Sequence, residues 1–387
     1  MRVAWLLLAV LLVAGCGSSA TPTLPQPPPG PPPPVGQPVR ALRALLLPVD
    51  FPDAPATASA ASEFDRVVPT LRAYFREVSF GLFDLVVEPS PRWWRMPQPS
   101  TAYWLGSRQD LEGGKVDLLL RDAVVAADPE VDFRPYHAVL LVAPAGARIY
   151  CCFAHRSFSP PVTNEGARVE WMTFQKAEQT SIGVYAHEVG HVLGLPDLYD
   201  YALASAGYGI EAAVHVGPWD LMSRGPVAAT RAHPSSWSKM RLGWLRAEWV
   251  LSVPRGGSGV VELDALSAAP GSGGYAAAWL PVSGSRSYFV EVRSQEGFDG
   301  VLYDRGVLVH VYDATIPNGQ GPLRLVDAHP EAQDPGLLRQ YGPKYSAPFD
   351  LGPGEVSEFR DERDSIRVRV VGGGGRRYQV HLQNGGL

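Results

Sequence analysis

Positive charge is in short supply in this chain. Against 39 Asp and Glu stand 34 Lys and Arg, a formal net charge of −5. No basic patch stands out, which argues against nucleic acid as a partner, because phosphate binding needs one. Cysteine is scarcer still, three in 387 residues. Cys151 and Cys152 are adjacent, and no third and fourth soft ligand lies nearby to make a zinc site of the pair. Beyond the cytoplasm thiols tend to oxidise. The pair is therefore read as a vicinal disulfide, as a bridge between two chains or as buried reduced thiols. The apolar run at residues 3–13 is too short to span a bilayer as a permanent helix. What is present in quantity is hydrophobic content, 45%, enough for real cores in two or three domains.

The N-terminus has the layout of a signal peptide: Arg2, the short apolar run, then the small residues Ala14 and Gly15 before Cys16. Residues 17–39 are Gly, Ser, Thr and above all Pro. They form a semi-rigid polyproline-type linker that rises about 3 Å per residue and cannot build a core. From Arg40 the texture is globular. Residues 43–49 and 83–87 read as strands, 67–78 and 115–127 as helices, and 138–142 as a short buried strand. This alternation predicts an α/β layout. Trp93, Trp94, Tyr103 and Trp104 are read as packing rather than a sugar platform. After Trp249, Gly- and Ser-rich turns separate short alternating segments at 260–263, 276–280, 288–292, 307–312, 366–371 and 378–382. They predict an antiparallel, all-β, sandwich-like C-terminal domain over 250–387, following a domain over 40–249. His310 is expected to be a hydrogen-bonded strand residue. The acidic loop 299–304 is a candidate calcium site without a recognisable loop signature.

The chemistry concentrates at residues 186–197, Ala-His-Glu-Val-Gly-His-Val-Leu-Gly-Leu-Pro-Asp. His187 and His191 share one face of a helix and can reach a single ion. Glu188, beside that face, is placed to take a proton from a water on the same metal. Gly194 can end the helix in the left-handed conformation, and Pro196 cannot continue it. The ensuing turn brings Asp197 back as a third zinc ligand, leaving one position open for chemistry. An alternative ligand is Glu211, at a spacing resembling that of thermolysin-like enzymes. Tyr199 and Tyr201 are the nearest candidates for an oxyanion donor, with packing or surface roles weighed against it.

The pattern His-Glu-x-x-His-x-x-Gly-x-x-Asp resembles the metzincin consensus with aspartate as third ligand, and Val216 to Ser223 supplies a matching Met-turn with Met222 beneath the metal. The wording of the run, with Trp219-Asp-Leu-Met-Ser223, Leu71 to Gly81 and Trp237 to Trp244, looks like the immune inhibitor A type of secreted bacterial metallopeptidase. Trp219 and Asp220 would be the scaffold of that turn. The resemblance spans roughly residues 44–245, with a weaker echo to about 330. It implies a metzincin-like zinc metalloendopeptidase that hydrolyses extracytoplasmic proteins or peptides, with His187, His191 and Asp197 on zinc and Glu188 as base. Residues 13–16 resemble a bacterial lipobox. That makes Cys16 the lipidated first residue of a membrane-anchored lipoprotein, periplasmic or at the cell surface, with secretion as the alternative. The rival function is a non-catalytic surface lipoprotein that binds protein or carbohydrate through its β domain.

Overall fold

The computed structural model describes residues 36–103, 114–224 and 231–386. Cys16, most of the Pro-rich linker and Trp104 lie outside them. The first sheet has the order β2-β1-β4-β6-β5, with β3 also paired to β1. Its strands are β1 (Ala41–Asp50), β2 (Asp84–Pro89), β3 (Trp94–Arg95), β4 (Ala138–Ala143), β5 (Phe153–Arg156) and β6 (Trp171–Lys176). All pairings are parallel except β5 with β6.

Period-two alternation along β1 builds two cores. Leu42, Ala44 and Leu46 pack with Leu71 of α1 (Ala60–Val78) and Val189 of α3 (Ile182–Val192). Leu45, Leu47 and Val49 pack with Leu119 and Val124 of α2 (Gly114–Ala127). A parallel sheet covered on both faces explains why β1 and β4 are almost wholly apolar. β1 runs through Pro48, where a stop was expected. Its pairing with β2 ends at Leu46, so a residue without an N–H costs no ladder bond on that side. Helix α1 starts seven residues earlier than the expected Val67, capped by Ser59. Its first turn includes the buried Glu63, which accepts the Tyr185 hydroxyl at 2.7 Å and so ties α1 to α3.

The remaining strands are β7 (Val250–Ser252), β8 (Gly257–Asp264), β9 (Ala277–Pro281), β10 (Arg286–Arg293), β11 (Gly306–Asp313), β12 (Leu323–Leu325), β13 (Glu358–Asp361), β14 (Ile366–Gly374) and β15 (Arg377–Asn384). They form two sheets, β12-β11-β10-β9-β7 and β13-β14-β15-β8, antiparallel apart from β7 on β9. Tyr288, Val290 and Val292 of β10 join Val261, Val368 and Val380 in the core shared by these sheets. The alternate residues of β10 face the other way. Phe289 enters the core that holds α1 and α3, while Glu291 and Arg293 enter a fully buried polar network. Arg293 donates to Asp299 at 2.8 Å and to the Trp219 carbonyl at 2.8 Å. The apolar core therefore continues across residue 250, and the loop carrying Met222 is braced from β10.

The last residues of the expected linker are fastened down. Gly36 and Val39 donate to the Met240 and Leu242 carbonyls at 2.7 and 3.0 Å, at the end of helix α5 (Ser236–Arg241). Trp94 and Tyr103 are buried, in keeping with packing. His310 is buried too, but its ring nitrogens find no hydrogen-bond partner among the described residues, contrary to expectation. The nearest carboxylate oxygen, on Glu291, is 3.9 Å away.

Candidate metal centre

Helix α3 is delimited by local chemistry. The Ser181 hydroxyl caps its start by accepting from Val184 N–H. At its end Gly194, with φ of +98°, permits the turn. Leu195 N–H reaches the Gly190 carbonyl and Gly194 N–H the His191 carbonyl, the paired bonds of a Schellman ending. The chain then doubles back through Pro196, and Asp197 arrives buried against the helix face that carries both histidines.

His187 Nε2 lies 3.0 Å and His191 Nε2 3.2 Å from Asp197 Oδ1. These three atoms lie within 4.8 Å of one another, and among the described residues this is the one group of three or more metal-ligating side chains that converges. The other ring nitrogens fix the tautomers. His187 Nδ1 sits 2.9 Å from the Leu221 carbonyl and His191 Nδ1 2.9 Å from the Leu195 carbonyl. A carbonyl can only accept, so each Nδ1 carries hydrogen, which leaves each Nε2 as the nitrogen that can offer a lone pair to a metal. Three acceptors facing one point suit a cation, and a two-imidazole, one-carboxylate donor set suits a divalent metal such as zinc.

Without a metal, a proton takes that place. Burial alone would lower the pKa of His191, but the Asp197 carboxylate outweighs it and raises it to about 9. Burial alone would raise the pKa of Asp197, but the two histidines hold it well below the usual carboxylate range. Metal binding must expel the His191 proton. The apparent affinity should therefore rise with pH, about tenfold per unit, and level off above about pH 9. Competition titrations with zinc across pH 6 to 10 check this.

Asp197 is held from behind. Its Oδ2 accepts the Tyr201 hydroxyl at 2.9 Å, which leaves Oδ1 toward the histidines. Tyr201 is the first residue of α4 (Tyr201–Ser205), whose start is capped by Asp200. The loop after β11 presses on it: Tyr201 N–H donates to the Gly319 carbonyl at 2.9 Å. A Cβ at Gly319 would lie 2.1 Å from the Tyr201 ring, so that position admits only glycine. The sequence made Tyr201 a candidate oxyanion donor, whereas its hydroxyl is engaged by Asp197. Tyr201→Phe should weaken metal binding by about 10- to 100-fold, as outer-shell partners typically do, with the fold retained. Isothermal titration of the metal-free protein measures it.

Met222 packs against the helix at Gly190, where a Cβ would meet its sulfur at 2.7 Å. The Met222 carbonyl accepts Leu198 N–H and its own N–H donates to Asp220 Oδ1. The other oxygen of Asp220 accepts from Ser235 N–H and the Ser238 hydroxyl. Asp220 thus clamps this turn to α5. Glu211 lies in a 3₁₀ turn, Ile210–Val214, exposed and outside the converging group. Asp299 of the acidic loop turns inward, accepting from Arg293 and from His233 N–H.

A cleft of about 650 Å³ opens over His187, His191 and Asp197. One wall carries His187, Glu188 and His191, and β5 contributes Phe153 and Ala154. Trp237, Arg241, Tyr312 and the loop Ile316–Asn318 line the cleft as well. Glu188 is buried, 5% exposed, yet lines this cleft. Cys151 and Cys152 are bonded to each other across a cis peptide, which selects the vicinal disulfide among the three readings, and Cys152 lines the cleft as well. Both sulfurs lie near the Thr180 hydroxyl, at 3.9 and 3.7 Å, just before the cap of α3.

Comparison with known families places a name beside this geometry. Residues 161–250 match the family model described as immune inhibitor A peptidase M6, catalytic domain, a segment that holds His187, Glu188, His191, Asp197 and Met222. No curated protein matches the chain.

Proposed function

We propose, from the match of residues 161–250 to a peptidase catalytic domain, that this chain is a zinc-dependent endopeptidase acting on extracytoplasmic proteins and peptides. The observation that carries the proposal is the convergence of His187 Nε2, His191 Nε2 and Asp197 Oδ1 on one point, at the floor of a cleft that Glu188 also lines. Zinc held by these three groups would polarise a scissile carbonyl and bring the pKa of water toward neutrality. Glu188 then takes the proton of the attacking water and delivers it to the leaving amine nitrogen. An extended substrate can lie along β5, the edge strand of its sheet, whose Phe153 and Ala154 face the cleft. We read the architecture as metzincin-like, with Met222 as the floor of the site and residues 250–387 as a sandwich-like β domain bracing it through Arg293. The signal-peptide reading and Cys16 make it a lipid-anchored extracytoplasmic protein.

Casein hydrolysis by the purified chain tests the proposal. Activity should disappear with a zinc chelator and return with zinc. Zinc binding without hydrolysis would favour the non-catalytic binding protein instead.

A further inference from the structure

We propose that Arg241 is a specificity determinant of the cleft and binds a carboxylate of the substrate, so that the favoured substrates are acidic peptides or chain ends. The inference rests on the peptidase reading above and adds the substrate class. Among the described residues lining the cleft, Arg241 is the only Lys or Arg. The other formal charges there are those of Glu188, Asp197 and the histidines, all at the metal end. Several arginines elsewhere are paired with carboxylates, while Arg224 stacks on the cleft residue Tyr199 at 5.3 Å without itself lining the cleft. Arg293 is paired with Asp299, Arg286 with Asp364 and Arg377 with Asp264. Arg241 is exposed and has no carboxylate within 4.0 Å among the described residues.

It is nevertheless held in place. Its guanidinium carbon lies 5.3 Å from the Trp237 ring centre, and Trp237 in turn packs on Tyr312 at 5.2 Å. A guanidinium supported on an aromatic face keeps its N–H edge for a partner, and its planar fork matches a carboxylate with two parallel hydrogen bonds. The helix that carries it is fixed at both ends. Asp220 and Glu291 hold the backbone N–H groups of Ser235 and Ser236 at 2.7 and 2.6 Å, and Gly36 holds the Met240 carbonyl at 2.7 Å. Since Asp220 also fixes Met222, Arg241 sits at a set position relative to the ligands. A solvated arginine at a helix end needs neither the aromatic stack nor the place in the cleft. Among the described residues lining the cleft it is the one cationic group besides the histidines that can attract a substrate carboxylate.

The experiment uses the full zinc-loaded chain and matched peptides. One set, amidated at the C-terminus, carries Glu, Gln or Lys at each position flanking the scissile bond. A second set is neutral and ends in a free or an amidated carboxyl group. The readout is the ratio of kcat/KM within each pair. The wild-type protein should prefer Glu over Gln, or the free over the amidated end, by about 10- to 100-fold, the first assigning an acidic side chain and the second a chain end. Arg241→Gln should collapse that ratio toward one, and Arg241→Glu should turn the preference toward Lys. Arg241→Lys, which keeps the charge but not the fork, should fall between. Zinc-dependent cleavage without any carboxylate preference in the wild type, or a preference that survives Arg241→Gln, would overturn the inference while leaving the peptidase reading standing. Failure to cleave any peptide would remove both.

Discussion

Glu188→Gln should retain zinc and fold and lose about 10²- to 10⁴-fold of kcat, the range a positioned general base usually contributes. The substitution keeps the shape of the side chain and removes only its capacity to take a proton. Glu188 is next to His187 on α3, nearly buried, and lines the cleft above the converging ligands. Among the described residues lining the cleft the other carboxylate is that of Asp197, which is bound up with the two histidines and Tyr201. Steady-state hydrolysis of a fluorogenic peptide, with zinc content as control, gives the result. Wild-type turnover at full zinc occupancy would remove Glu188 from the chemistry.

Asp197→Ala should cost the protein its metal under conditions where Glu211→Ala binds normally. Two imidazoles alone make a weak site, and the loss should exceed the roughly 10- to 100-fold that an outer-shell partner is worth. Asp197 is 2% exposed, with Oδ1 within 3.2 Å of both histidine nitrogens. Glu211 is exposed on a 3₁₀ turn and belongs to no converging group among the described residues. Equal circular dichroism spectra would show that both variants fold. An empty site in Glu211→Ala, with Asp197→Ala still loaded, would move the chain to the thermolysin-like arrangement.

The helix of the candidate site was legible because one short segment carries two histidines and a glutamate on adjacent faces and a glycine at 194 suited to the terminating turn, whereas the N-cap serine at 181 went unread. What orients those side chains was not legible. The Leu221 and Leu195 groups that set the histidine tautomers are backbone carbonyls, which any residue supplies. The strand at the cleft edge, β5, escaped notice because four residues, Phe-Ala-His-Arg, carry too little alternation to stand out. The early start of α1 was hidden by Glu63, since a charged residue reads as solvent-facing until its partners Arg66 and Tyr185 are seen. In β10 the sequence reading gave the strand but not its polar role: Glu291 and Arg293 are fully buried and bind the segment that carries Met222 and α5. Segments 260–263 and 378–382 were easier, because one face of each supplies a shared core and the other meets water.

The most direct test is anomalous diffraction at the zinc edge from crystals of the zinc-loaded protein. The account predicts one strong peak about 2.0 to 2.2 Å from His187 Nε2, His191 Nε2 and an oxygen of Asp197, with a fourth position turned to the cleft. A peak ligated by Glu211 in place of Asp197, or no peak between the two histidines, would contradict it.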